Sequence, residues 1–389
     1  MSSAGYHALV TPPPAKSLVD VVRNFTPNWF TVTMGTGALA LVLNQVPVPI
    51  AGLRELASIL WLANIALFVL FSVLYAMRWI VFFDEARRIF QHPVMSMFFG
   101  AIPMGLATII NGFLAFGPAL LGPVSRPIAW TLWWVDAALA LICGLAIPFF
   151  MFTRQEHSVE KLTAVWLLPV VAAEVAASSG ALLTPHLASH AAFTVLVLSY
   201  VLWAYSVPLA MSLLVLLFLR LALHKLPERD MGVSALLALG PIGTGALGLV
   251  LLGGAAPQVL GAEGLQSIGD VAFGAGILGG TLLWGYGLWW LGLAVLKIAH
   301  YLRDGLPFNL GWWGFTFPLA VYTLASFALG RVTHFLPFTV AGSVLTLVLT
   351  ALWLIVATRT VRGAWRRDLF SAPCLSRGPA IARFEADTV

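Results

Sequence analysis

Cysteine is almost missing from this chain: its 389 residues contain two, Cys143 inside an apolar run and Cys374 near the end. That excludes a disulfide framework and a thiolate metal site. Charge is scarce too, at 10% of residues, where an ordinary soluble protein carries about 25%. Two or three soluble domains, which the length alone would suggest, are therefore excluded. No nucleotide-binding loop, zinc spacing or serine nucleophile with a base and orienting acid occurs, so no enzyme activity, metal or cofactor is expected. The first residues, MSSAGYHALVTPPPAKS, lack an apolar core followed by a small-residue cleavage site. They read as a disordered leader over 1–22 rather than a signal peptide.

What is present is apolar. With 60% hydrophobic residues and a mean hydropathy of +0.93, the composition is that of an all-α, multi-pass membrane protein. A helix needs about 20 apolar residues to cross a bilayer. Ten such spans are expected, at 28–46, 56–82, 93–116, 128–152, 163–184, 191–222, 233–254, 268–300, 310–330 and 337–361. The sixth and eighth are long enough to project beyond the lipid. Lysine and arginine split 18 against 3 between the two sides that this count defines, with Arg54, Arg126 and Arg331 forming the minority. Positive residues collect on the cytoplasmic side, which puts both termini there, followed by a basic tail over 362–389. The net charge of +5 is thereby explained without a nucleic-acid partner; the partner is the lipid bilayer.

The odd spans carry a central Gly/Pro interruption: FTVTMGTGALA (30–40), FFGAIPMGLAT (98–108), WLLPVVAAEVAASSG (166–180), LGPIGTGALG (239–248) and WWGFTFPLAVYTLAS (312–326). With Gly35, Pro103, Pro169, Pro241 and Pro318 as markers, the intervals are 68, 66, 72 and 77 residues. This reads as a helical hairpin used five times within one domain, 23–361. An interior proline removes one hydrogen bond and pushes away the carbonyl four residues back, here those of Phe99, Val165, Leu237 and Gly314. Such groups are tolerated in a membrane only when packed in protein or beside a water-filled cavity. The interrupted helices are therefore expected inside, ringed by the unbroken ones.

Small and hydroxyl-bearing residues gather around the breaks. Gly35, Thr36, Gly37, Pro103, Gly105, Pro169, Ser178, Gly243, Thr244, Thr316 and Pro318 are the candidate lining of an anion path, since hydroxyls bind an anion weakly without a fixed countercharge. Small residues equally serve close helix packing, and each hydroxyl can bond back to its own helix. The ninth span aims a bulky ring at this depth, and such a ring could constrict a passage by excluding water. Phe315 and Phe317 lie about 200° apart around a helix, so one of them faces the axis, and spacing does not choose.

Acids inside membranes are functional candidates. Glu174 follows Pro169 by five residues and either relays a proton beside the anion or makes a structural hydrogen bond. Asp136, in an outer-type helix, reads as a structural group with a partner, with a transport role as the alternative. His92 precedes Pro93 and reads as a helix-start residue.

The segments NFTPNWFTVTMGTG, HPVMSMFFGAIPMGLATIIN, WTLWWVD, WLLPVVAAEVAASSG and FNLGWWGFTFP resemble the tellurite-resistance/dicarboxylate transporter family, which includes sulfite efflux pumps, malate permeases and slow-type anion channels. The resemblance covers about residues 23–361. It implies ten helices in five hairpins, a central pore in each subunit, a homotrimer, and a pore-occluding phenylalanine immediately before the proline of TFP, here Phe317. It also implies a small inorganic or dicarboxylate anion as substrate, with sulfite first, malate second and a passive chloride- or nitrate-type channel as a further alternative. The expected location is the inner membrane of a bacterium-like cell.

Overall fold

The computed structural model describes residues 17–227, 229–303 and 305–375. No strand occurs among them. Ten principal helices alternate between two kinds. The short ones are α1 (Phe30–Asn44), α3 (Ala101–Ala115), α5 (Leu168–Leu183), α7 (Leu239–Ala262) and α9 (Phe317–Thr333). The long ones are α2 (Leu53–Val81), α4 (Ser125–Thr153), α6 (Ser189–His224), α8 (Gln266–Arg303) and α10 (Leu336–Arg366). Nine helical stretches among the described residues are long and apolar enough to cross a membrane. The first expected span is represented by α1, which at 15 residues is shorter than those nine. The sixth and eighth spans, α6 and α8, are the longest, at 36 and 38 residues.

Each short helix is entered through a tight 3₁₀ segment: Pro27–Trp29, Met95–Gly100, Ala164–Leu167, Arg229–Leu236 and Leu310–Phe315. This revises the expectation of interior kinks. Pro103, Pro169, Pro241 and Pro318 stand in the first turn of their α-helices, where a missing N–H leaves no helical bond unmade. Some displaced carbonyls have found donors nearby, as Leu237 O accepts from the Gly240 amide at 3.0 Å. Gly35 is also not the counterpart of those prolines. It lies in the middle of α1, and the matching first-turn position is Thr31 or Val32.

Burial separates the two kinds of helix. In the most apolar windows of the stretches containing α3, α5, α7 and α9, 67 to 89% of residues are buried, against 17 to 33% for the long helices; in α1, 13 of 15 residues are buried. The short helices close a ring: α1 packs on α3, α3 on α5, α5 on α7, α7 on α9, and α9 back on α1. Each long helix covers the seam between its own short helix and the next, with α10 covering the seam between α9 and α1. Outward-facing apolar side chains such as Ile80, Phe152, Leu282 and Leu347 suit a lipid environment.

One device repeats around the ring. From every long helix a tryptophan indole N–H reaches the next short helix: Trp61 to Ile109 O (3.2 Å), Trp133 to Ala176 O (2.9 Å), Trp203 to Gly245 O (3.0 Å), Trp284 to Ser326 Oγ (2.8 Å) and Trp353 to Thr36 Oγ1 (3.1 Å). Small residues make room for the rings. A Cβ on Gly112 would meet the Trp61 indole at 1.9 Å, and on Gly180 or Gly248 the Trp133 or Trp203 indole at 3.0 Å.

The chain ends depart from the expected division at 22 and 362. A helix, Leu18–Arg23, capped by Ser17, lies across the leader boundary, and residues 1–16 lie outside the described residues. At the other end α10 continues to Arg366, and the chain folds back so that Phe370 stacks on Trp29 with centroids 4.7 Å apart. The Arg78 guanidinium, fully buried, donates to Phe25 O at 2.6 Å and to Cys374 Sγ at 3.5 Å. The rest of the expected tail, 376–389, lies outside the described residues.

Candidate functional site

Two cavities lie on the axis of the ring, one at each end. The first, of about 510 Å³, is walled by the starts of all five short units, among them Thr31, Phe98, Leu168, Leu237 and Phe317. The second, of about 250 Å³, is walled by the far ends of the same five units, among them Asn44, Asn111, Ser178, Leu247 and Arg331. The five short helices are therefore parallel: their N-termini ring one mouth and their C-terminal ends the other. The N-terminal ends of helix dipoles carry partial positive charge, which favours anions in the larger vestibule.

Between the mouths the axis is shut. A cavity of about 20 Å³, bordered by Met34, Met104, Val171, Gly240 and Phe317, sits beneath the larger vestibule, with space for about one water molecule. Phe317 lines both that cavity and the vestibule and is 3% exposed. Met34, Leu168, Leu237 and Pro318 also border both spaces, so the ring closes an apolar collar. Phe315 faces elsewhere: it packs edge-on against Trp312 with centroids 5.5 Å apart. About 10 Å of helix separates the level of Val171 from that of Ser178, and the short helices pack on one another along it. An apolar constriction of this kind resists water as well as ions.

The expected lining residues divide. Phe317 and Pro318 border the upper cavities, and Ser178 borders the lower one while donating to Glu174 O at 3.1 Å. The glycines instead serve helix contacts. A Cβ on Gly35 would lie 2.1 Å from Thr316 Oγ1, on Gly37 2.0 Å from Thr108 Oγ1, on Gly105 2.6 Å from Thr33 Oγ1, and on Gly243 2.7 Å from the Tyr322 amide nitrogen. Thr36 faces α10 as the acceptor for Trp353, and Thr316 donates to Trp313 O at 2.7 Å. Pro103 and Pro169 are buried and border none of these cavities. Small size near the breaks thus brings helices together rather than widening a path, because a glycine pressed against a neighbouring helix leaves no gap.

Glu174 is fully buried between α5 and α7 and borders neither vestibule. Its Oε1 accepts from the Thr244 hydroxyl, which also lies 2.6 Å from Gly240 O, and its other polar neighbour is Ser206, whose hydroxyl donates to Val170 O at 2.9 Å. Asp136 is buried with neither carboxyl oxygen partnered among the described residues, in contrast to the structural hydrogen bond expected for it. His92 does act at a helix start: its Nδ1 accepts from the amides of Val94 and Met95 at 3.2 and 3.1 Å. It also borders the larger vestibule.

A family described as voltage-dependent anion channel (SLAC1) matches residues 24–361. The chain belongs to this family. Among its relatives, the sulfite efflux pump SSU1 of Arthroderma benhamiae is 40% identical over 353 residues, covering 90% of this chain and 93% of that one. An uncharacterized transporter of Methanocaldococcus jannaschii is 28% identical, covering 91% of this chain and 98% of the other. The malic acid transport protein of Schizosaccharomyces pombe is 23% identical, covering 94% and 84%. The family match covers all ten principal helices of this chain except the last turn of α10, so the axial cavities lie within it. The resemblance carried by the five sequence segments holds, and family membership is that of transporters and channels rather than enzymes.

Proposed function

We propose that this protein carries small anions across a cell membrane along the axis of its five-helix ring, with sulfite efflux as the first candidate and Phe317 as the gate. The observation that carries the reading is the pair of axial cavities, each built from all five units and separated by an apolar collar that includes Phe317. The 40% identity to a sulfite efflux pump supports the substrate. In this reading anions gather at the ring of helix N-termini and cross when the phenylalanine ring turns aside. The Ser178 hydroxyl then meets them at the far cavity.

A proton-coupled C4-dicarboxylate carrier is the second reading, favoured by the malic acid transport relative and by the buried Glu174. Glu174 would then exchange its proton through Thr244, beside rather than in the anion path. A passive chloride- or nitrate-type channel differs from both in lacking a response to a pH step. The lysine and arginine distribution supports ten crossings with both termini cytoplasmic, in the inner membrane of a bacterium-like cell, and the family resemblance supports a trimer with one pore per subunit.

Purified protein in vesicles, offered sulfite, malate, chloride and tellurite with and without a proton gradient, tests the reading. Sulfite-selective flux supports it. Flux of none of the anions overturns it, and malate uptake that collapses without the proton gradient and in Glu174→Gln replaces it with the second reading.

A further inference from the structure

The smaller cavity presents a difficulty that the larger one does not. It is bordered by the C-terminal ends of the short helices, where unpaired carbonyls and the helix dipoles concentrate negative charge. An anion leaving there would meet repulsion just as it loses the N-terminal field behind it.

Arg331 stands at that point. It occupies the last turn of α9, borders the cavity and is exposed to it. No ion pair or hydrogen bond engages its guanidinium among the described residues. It is one of only three basic residues on its side of the protein, and the cavity contains no acid. Asn44, Gln45, Asn111 and His186 line the same cavity, and the buried side-chain oxygen of Asn111 has no partner among the described residues. That oxygen is an acceptor and calls for a water or another donor, whereas the amide NH2 groups of Asn44, Gln45 and Asn111 are donors suited to an anion. A cation in a final helical turn also complements its own helix, but that role needs neither amides from two other short helices nor a shared cavity.

We infer that Arg331, with Asn44, Gln45, Asn111 and His186, forms a binding site for a small oxyanion at the C-terminal mouth, offsetting the helix carbonyls so that anions rather than cations pass. The guanidinium fork can hold two oxygens of an oxyanion, which an ammonium cannot do in the same geometry. The inference rests on the axis being an anion path.

The test uses Phe317→Ala to open the collar, so that the far mouth controls selectivity. Reversal potentials are measured in planar bilayers under a sodium chloride gradient and then a sodium sulfite gradient. Wild-type-mouth channels should be strongly anion-selective. Adding Arg331→Gln should lower the anion-over-cation permeability ratio several-fold, and Arg331→Lys should restore it while reducing the preference for sulfite over chloride. An unchanged ratio in Arg331→Gln overturns the inference and leaves the anion path standing. An absence of anion current in Phe317→Ala itself, in protein that melts like wild type, overturns the path and the inference with it.

Discussion

The Trp353 indole donates to the Thr36 hydroxyl at 3.1 Å across 317 positions of sequence, and this one bond completes a circuit that four others begin. In every case the donor lies on a lipid-facing helix and the acceptor on the axial helix of the next unit. The ring is thus tied from outside at five points, and its inner helices need no side chains large enough to fill the axis. Trp353→Phe keeps most of the ring volume and removes the donor. It should lower stability by about 1 kcal/mol, seen as a reduced melting temperature in detergent, with the anion flux of the folded fraction unchanged.

The collar predicts the opposite pattern. Phe317→Ala removes the ring that separates the 510 Å³ vestibule from the closed stretch. Anion conductance in vesicles should rise well above wild type. Phe315→Ala, which removes a ring packed on Trp312, should reduce stability without opening a leak. Equal leak from both variants would end the gate assignment.

Two glycines distinguish the inner surface from the outer. Gly243 faces the Tyr322 backbone, 2.7 Å from a would-be Cβ, whereas Gly285 on α8 has nothing within 4 Å. Gly285→Ala should stabilise the protein by roughly 0.5–1 kcal/mol through helix propensity. Gly243→Ala should destabilise it by about 1–3 kcal/mol because a backbone cannot step aside. Thermal unfolding of the two variants decides the point.

His92 gives the fold a pH dependence. Its Nδ1 accepts two amide hydrogen bonds, at 3.2 and 3.1 Å, which requires an unprotonated ring nitrogen, and burial holds the imidazole below its usual value. A histidine depressed in the folded state contributes stability that is complete above the unfolded value of about 6.5 and declines as pH falls below it. Melting temperature should therefore drop between about pH 7.5 and pH 5.5. In His92→Asn, which can still accept from the two amides but does not titrate, that drop should shrink.

The sequence made the alternation of short and long helices readable, because Gly/Pro clusters recur at similar intervals and lysine and arginine fall on one side. It also made the breaks readable, but not that they are helix starts. A proline in an apolar run looks like an interior kink, and only the 3₁₀ segment before Pro169 or Pro318 turns it into a helix start. The glycines misled for a related reason: Gly35 and Gly37 are small toward Thr316 and Thr108, and composition does not say which way a residue faces. Phe317 was separable from Phe315 only by family resemblance, since spacing fixes their relative angle and not the rotation of the helix. The tying tryptophans leave a signal in the sequence, since Trp61, Trp133, Trp203, Trp284 and Trp353 follow one another at intervals of 72, 70, 81 and 69 residues. Arg331 was visible as one of three minority charges, but its amide neighbours come from turns far apart in the chain.

Phe370 against Trp29 brings the last helix home to the first. With Phe370 and Trp29 in contact and its ties running unbroken around the circle, the ring of helices resembles a closed band cut at one arbitrary place. A gene that starts at any later hairpin, with a short peptide bridging the old ends, should encode the same barrel of helices. Rotating the point of opening is thus a way to present any of the five units first to the insertion machinery.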